Sequence, residues 1–145
     1  MVVRHGATEW SRAGRHTGRT DLPLLAEGER QAAELGGRLA GHHFALVLTS
    51  PLRRAADTCA LAGFGTGAVV CDDLREWDYG DAEGRTTEEI RAELPGWSLW
   101  SDGAPRGERP EDVGPTVSAA LTMAFQSGNA VAVLLTQKLI GAKPF

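Results

Sequence analysis

The chain opens with an apolar pair, Val2-Val3, that runs directly into Arg4, His5 and Gly6. An arginine and a histidine at the exit of a strand are placed for chemistry, because ligands of open α/β sheets bind beyond the carboxyl ends of the strands. Two further groups occupy similar places. Arg54 falls in the first turn or so of a helix that follows the apolar run FALVLTS, and Glu76 follows the short strand-like run AVVCD. A histidine can attack phosphorus and hold a phosphoryl group covalently. Guanidinium groups can hold the equatorial oxygens where charge develops. A carboxylic acid can protonate a departing alkoxide. The set is chemically complete for the first half of phosphoryl transfer from a phosphate monoester. Each member also has a plainer reading. His5 could cap a strand end, and Arg54 could be a solvated helix residue like its neighbour Arg53. Glu76 competes with Asp72, Asp73, Asp78 and Asp81 for the acid role.

The elements that must position these groups are read from periodicity and breakers. EGERQAAELGGRLAG is helical, with Ala32, Leu35 and Leu39 on one face. FALVLTS at 44–50 is a buried strand, and Ser50-Pro51 opens the next helix as N-cap and first helical residue, ending at Gly63. AVVCD at 68–72 is a short strand, followed by a loop rich in charge and aromatics. TTEEIRAEL is a short helix closed by Pro95. PGWSLWSDGAPRGERPED is irregular. DVGPTVSAALTMAFQ is helical from near Pro115, and NAVAVLLT at 129–136 is a buried strand. Strands that are apolar throughout and alternate with helices indicate an α/β fold, a mainly parallel sheet flanked by helices on both faces. The 145 residues, 42% hydrophobic and 23% charged, suit one domain, 1–145, with a real core. A net charge of −4 without a basic stripe argues against nucleic acid as a partner, and no apolar run reaches membrane-spanning length. No secretory signal is visible, so a cytoplasmic location is expected. Cys59 and Cys71 lack metal-ligand spacing, and Cys59 reads as a buried reduced thiol.

With these residues in view, the sequence resembles the histidine phosphatases, the superfamily of cofactor-independent phosphate-ester phosphatases and bisphosphoglycerate-dependent phosphoglycerate mutases. RHGATEWSRAGRHTGRTDLPL is similar to the opening signature, TSPLRRAADTC to the second and LREWDYGDAEG to the acid loop. PGWSLWSDGAPRGERPEDV resembles the segment before the last core helix, so the ordered series covers residues 1 to about 135. The resemblance implies a three-layer phosphoglycerate-mutase-like sandwich. It implies His5 as the phosphorylated nucleophile, Arg4 and Arg54 as phosphate clamp and Glu76 as general acid. Ser11 falls near the phosphate, and Thr17-Gly18 match a substrate-contacting pair. No metal or other cofactor is implied, and the partner is a small anionic phosphate ester, with a homodimer left open. The WDYGD and GWSLWSDG wording is nearer to the broad-specificity phosphatases, including sedoheptulose-bisphosphatase-like members, than to the mutases.

The pattern also departs from the family. A second histidine is expected just after the last core strand, where this chain has Gln137, and no histidine follows His43. Leu25 stands where a threonine cap is usual, and Arg109 where a serine is common. The chain ends at Phe145, where family members usually continue, which reads as a C-terminally incomplete fold. The expected activity is hydrolysis of a sugar phosphate or phosphoglycerate-type monoester through phospho-His5. The alternatives are mutase-type transfer and an impaired phosphate-binding remnant. Among the other candidates, His16 is expected to cap or pack within its loop, and His42 and His43 to lie on the surface. Trp77, Trp97 and Trp100 could line a substrate mouth, but packing of a loop on the body is the expected reading.

Overall fold

A computed structural model describes residues 1–113 and the strand at 131–135. The sheet has four parallel strands: β1 (Val2–Arg4), β2 (Leu46–Thr49), β3 (Val69–Val70) and β4 (Val131–Leu135). Their order is β1-β4-β2-β3, so the last strand in sequence enters the centre and joins β1 to β2. Its register sets Val133 opposite both Val2 and Leu48. The helices are α1 (Glu9–Arg12), α2 (Ala26–Arg38), α3 (Arg53–Leu61), α4 (Thr87–Glu93) and α5 (Leu99–Asp102). This is the expected α/β arrangement with a parallel sheet. Gln137 and most of the segment expected to be helical after Asp112 lie outside the described residues.

Helix α2 packs on α3, and α3 packs on β2 and β4. Of the face expected to be apolar, Ala32 is buried while Leu35 and Leu39 are half-buried. Gly36 permits the close crossing: a Cβ there would meet the Ala62 carbonyl carbon at 3.1 Å. A second close approach ties the start of α2 to the segment after β1. A Cβ on Gly6 would strike the Gly28 backbone, and one on Gly28 would strike the Ala7 backbone. Helix α2 starts from Leu25 with no side-chain cap bond, as expected for a leucine there. The segment after β3 builds its own apolar cluster, in which Trp77, Tyr79, Ile90, Trp97 and Leu99 are buried together.

Four expectations are corrected. Helix α3 begins at Arg53, with Leu52 rather than Ser50 as its N-cap residue. Leu52 is buried and extended (φ −68°, ψ 131°), so the chain turns into the core before the helix can start. Ser50 Oγ still accepts from the Leu52 N–H, at 3.3 Å, holding this bend. Strand β3 is only two residues long and lies at the sheet's edge, with Val69 and Val70 exposed. The stretch read as irregular contains α5, because Ser98 caps it by accepting from the Trp100 N–H. Helical backbone already runs over 110–113, upstream of Pro115, with Pro110 at its first position.

Candidate active site

His5 follows β1 directly and is anchored from α3. The Gly6 N–H donates to Thr58 Oγ1 at 3.0 Å, and that hydroxyl donates to the Arg54 carbonyl at 2.7 Å. The His5 Nδ1 lies 2.7 Å from the Gly6 carbonyl. A carbonyl can only accept, so Nδ1 carries the proton and the ring's lone pair is on Nε2. Burial lowers the His5 pKa from 6.5 to about 4, opposed by the Gly6 bond and assisted by the Arg54 and Arg4 charges. A ring held neutral with its lone pair on Nε2 can act as a nucleophile at neutral pH.

Arg54 is fully buried, whereas Arg53 is exposed and pairs with Asp57. The guanidinium of Arg54 donates to three carbonyls of one loop: Nη1 to Thr20 at 3.0 Å, and Nη2 to Thr17 at 3.2 Å and Gly18 at 3.0 Å. Among the described residues, its Nε is buried without a hydrogen-bond partner. A buried charged donor left unpaired is costly, so an anion reaching Nε would satisfy it. Desolvation lowers the Arg54 pKa, while Glu76, Asp21 and Glu83 act to raise it. An arginine with such neighbours stays charged.

Glu76 is 2% exposed, and one of its oxygens accepts from the Trp77 N–H at 3.0 Å. None of the rival carboxylates Asp72, Asp73, Asp78 and Asp81 lines the cavity that holds Glu76. Asp72 pairs with Arg75, Asp81 pairs with Arg106, and Asp78 accepts from the Gly80 N–H. Arg4, His5 and Glu76 line one cavity of about 380 Å³, together with Ser11 and Thr17. Ser11 is also the N3 residue of a capping box: its hydroxyl accepts from the Thr8 N–H while Thr8 Oγ1 accepts from the Ser11 N–H. Thr17 Oγ1 donates to the Arg15 carbonyl. Arg54 lies behind the cavity wall, fully buried and not among the lining residues, and Gly18 does not line the cavity either, its N–H being committed to Glu83.

A family profile for the histidine phosphatase superfamily (branch 1) matches residues 1–137. The chain belongs to the histidine phosphatase superfamily. It is 42% identical over 129 residues to an acid phosphatase of Mycobacterium tuberculosis, covering 87% of this chain and 63% of the relative. It is 38% identical over 145 residues to sedoheptulose 1,7-bisphosphatase of Saccharomyces cerevisiae, covering 83% of this chain and 53% of the relative. The chain therefore spans between half and two thirds of these relatives' length. Among solved structures, it superposes on a mycobacterial glucosyl-3-phosphoglycerate phosphatase with a TM-score of 0.80 at 29% identity, covering 96% of this chain and 74% of that one. The Mycobacterium tuberculosis protein of open reading frame Rv3214 gives 0.86 at 38% identity, covering 93% and 72%.

The cavity extends beyond the residues read from sequence. Arg15, Tyr79, Thr87, Arg91 and Leu99 also line it. Arg15 comes from the loop after α1, and the others from α4, α5 and the loop before them, which reach the cavity only through tertiary packing. Trp77 and Trp97 are buried, as expected for a loop packed on the body, yet they and half-exposed Trp100 also form cavity wall. The rings of Trp77 and Trp100 meet edge to face at 5.7 Å. His16 packs as expected, 4.9 Å from the Tyr79 ring with its Nε2 3.1 Å from Thr87 Oγ1. His42 and His43 are exposed. Cys59 is a buried free thiol whose pKa burial raises. Among the described residues, no group of three or more His, Cys, Asp or Glu side chains could hold a metal ion. No helix among them is long and apolar enough to cross a membrane.

Proposed function

We propose that this histidine phosphatase hydrolyses small phosphate monoesters through a phosphohistidine at His5, without a metal. The observation that carries the reading is the state of His5: a neutral ring with its proton on Nδ1, beside Arg54 and Arg4, in a cavity that also holds buried Glu76. In the first step Nε2 attacks phosphorus as the ester P–O bond breaks. Protonated Glu76 gives its proton to the leaving alkoxide, and Arg4 and Arg54 hold the equatorial oxygens, with Arg54 Nε as one donor. In the second step water attacks the phosphorus of phospho-His5. Glu76, now ionised, takes the water's proton, the N–P bond breaks and inorganic phosphate leaves. Ser11 and Thr17 line the wall where the substrate enters.

Relatives named as an acid phosphatase, a sedoheptulose bisphosphatase and a glucosyl-3-phosphoglycerate phosphatase support a sugar-phosphate or phosphoglycerate-type substrate. A weaker catalyst is the second reading, and Gln137 favours it, since glutamine offers a hydrogen bond but no charge at the position where the family signature places a histidine. Loss of one preorganised donor costs roughly 10²–10³ in turnover.

Hydrolysis of p-nitrophenyl phosphate by parent, His5→Ala and Gln137→His proteins tests both readings. Parent turnover is expected to vanish in His5→Ala, with label trapped on the His5 peptide after an alkaline quench. Gln137→His is expected to raise turnover by up to roughly 10²–10³. Turnover that survives His5→Ala would refute the phosphohistidine route.

A further inference from the structure

The fixed orientation of Arg54 raises the question of what holds its carbonyl partners. Thr17, Gly18 and Thr20 sit in a loop with no regular secondary structure, so no helix or sheet ladder fixes their peptide planes. Glu83, from the turn after Ala82, holds them from the opposite side to Arg54. Its Oε1 accepts from the Gly18 N–H at 2.9 Å and the Thr20 N–H at 3.0 Å, and its Oε2 accepts from the Gly18 N–H at 3.0 Å. The Thr17 carbonyl and the Gly18 N–H belong to one peptide group. That group therefore receives Arg54 at its oxygen and Glu83 at its nitrogen. The two charges share a peptide between them, and each polarises it in the sense that strengthens the other's bond.

The local sequence is built for this contact. Gly18 is buried, and a Cβ there would strike the Trp77 carbonyl and stand 2.6 Å from Glu83 Oε2, so only glycine lets the loop reach the carboxylate. The chain also brings Glu83 close through its own turn, since the Gly84 N–H donates to the His16 carbonyl at 2.8 Å, just before the loop.

We propose that Glu83 is a positioning residue for the phosphoryl chemistry, locking the 17–20 loop so that its carbonyls take three of the four terminal N–H groups of Arg54 and hold the guanidinium with Nε turned to the phosphoryl group. The inference rests on the reading that the His5 cavity takes phosphate monoesters. It makes Thr17-Gly18 part of the scaffold that aims the clamp, with the Gly18 N–H unavailable to substrate.

The test compares parent, Glu83→Gln, Glu83→Asp, Arg54→Met and the Glu83→Gln/Arg54→Met pair, well below the lowest unfolding temperature. Glutamine keeps the shape and removes the charge, while aspartate keeps the charge and shortens the reach. Glu83→Gln is expected to raise the vanadate inhibition constant and lower kcat/KM about tenfold, as for residues coupled in one network. Glu83→Asp should fall between it and the parent. In the Arg54→Met background the glutamine substitution should have almost no further effect. Equal effects in both backgrounds, or unchanged vanadate inhibition with a lowered melting temperature alone, would overturn the proposal. If the parent neither turns over substrate nor binds vanadate, the phosphatase reading fails first. The Arg54 Nε–H resonance then decides the positioning question: it should shift and exchange faster in Glu83→Gln, and an unmoved resonance refutes the role.

Discussion

His5 illustrates how a residue's chemistry depends on its surroundings. Its pKa of about 4 lies below the ordinary 6.5, with burial the largest cause. The unfolded chain takes up the proton below pH 6.5, while the folded chain refuses it until about pH 4. This contribution to stability is therefore intact above pH 6.5 and declines as pH falls towards 4. The NMR titration of the His5 ring in the free protein is expected to have its midpoint near 4. The parent's urea midpoint should fall more steeply over that range than that of His5→Asn. The acid limb of kcat/KM due to this group should lie near the same pH, and a midpoint near 6.5 would contradict the environment described for the ring. The lowered pKa was not legible in sequence, whereas the motifs did single out Arg4, His5 and Glu76, which line one cavity, and Arg54, which is buried where Arg53 is exposed. Glu83 was not singled out, because a glutamate in an acid-rich loop looks like any other until its partners, more than sixty residues upstream, are known.

Among the elements, α3 connects the two halves of the site. It delivers Arg54, and one turn later Thr58, whose hydroxyl accepts from the Gly6 N–H and donates back to the Arg54 carbonyl. Thr58 is 1% exposed, so no water is at hand to replace it. Thr58→Val keeps the shape and leaves a buried N–H unpaired, at an expected cost of about 1–3 kcal/mol. The urea midpoint should fall accordingly, and Thr58→Ser should restore most of it. A valine variant as stable as the parent would mean that Gly6 finds another acceptor. The helix itself was legible in sequence, but its start was not. Ser50-Pro51 is a sound capping pair by local rules, yet the burial of Leu52 in an extended conformation delays the helix by two residues. Strand β3 was legible as a strand but not as an edge, since apolar content does not distinguish an exposed Val70 from a central one.

At the scale of the whole molecule, the sheet order makes the two ends of the chain interdependent. Strand β4 lies between β1, which carries Arg4 and leads into His5, and β2, which leads into the helix bearing Arg54. Every N–H of a central parallel strand faces one neighbour or the other, so a proline there removes a ladder bond and adds a clash. At the edge the outcome depends on direction. The Cys71 N–H donates to the Thr49 carbonyl at 2.9 Å, so by the two-residue period of a strand the Val70 N–H faces away from β2. Val133→Pro is therefore expected to cost about 3 kcal/mol or more. Vanadate should give it little thermal protection, because the two halves of the clamp would no longer be held in register. Val70→Pro should cost far less and keep the protection, which in the parent grows with ligand concentration relative to its dissociation constant. Melting curves of the three proteins, with and without vanadate, make the comparison. A Val133→Pro protein that melts like the parent and is protected as well would show that β4 does not couple β1 to β2, and that the site is assembled without its central strand.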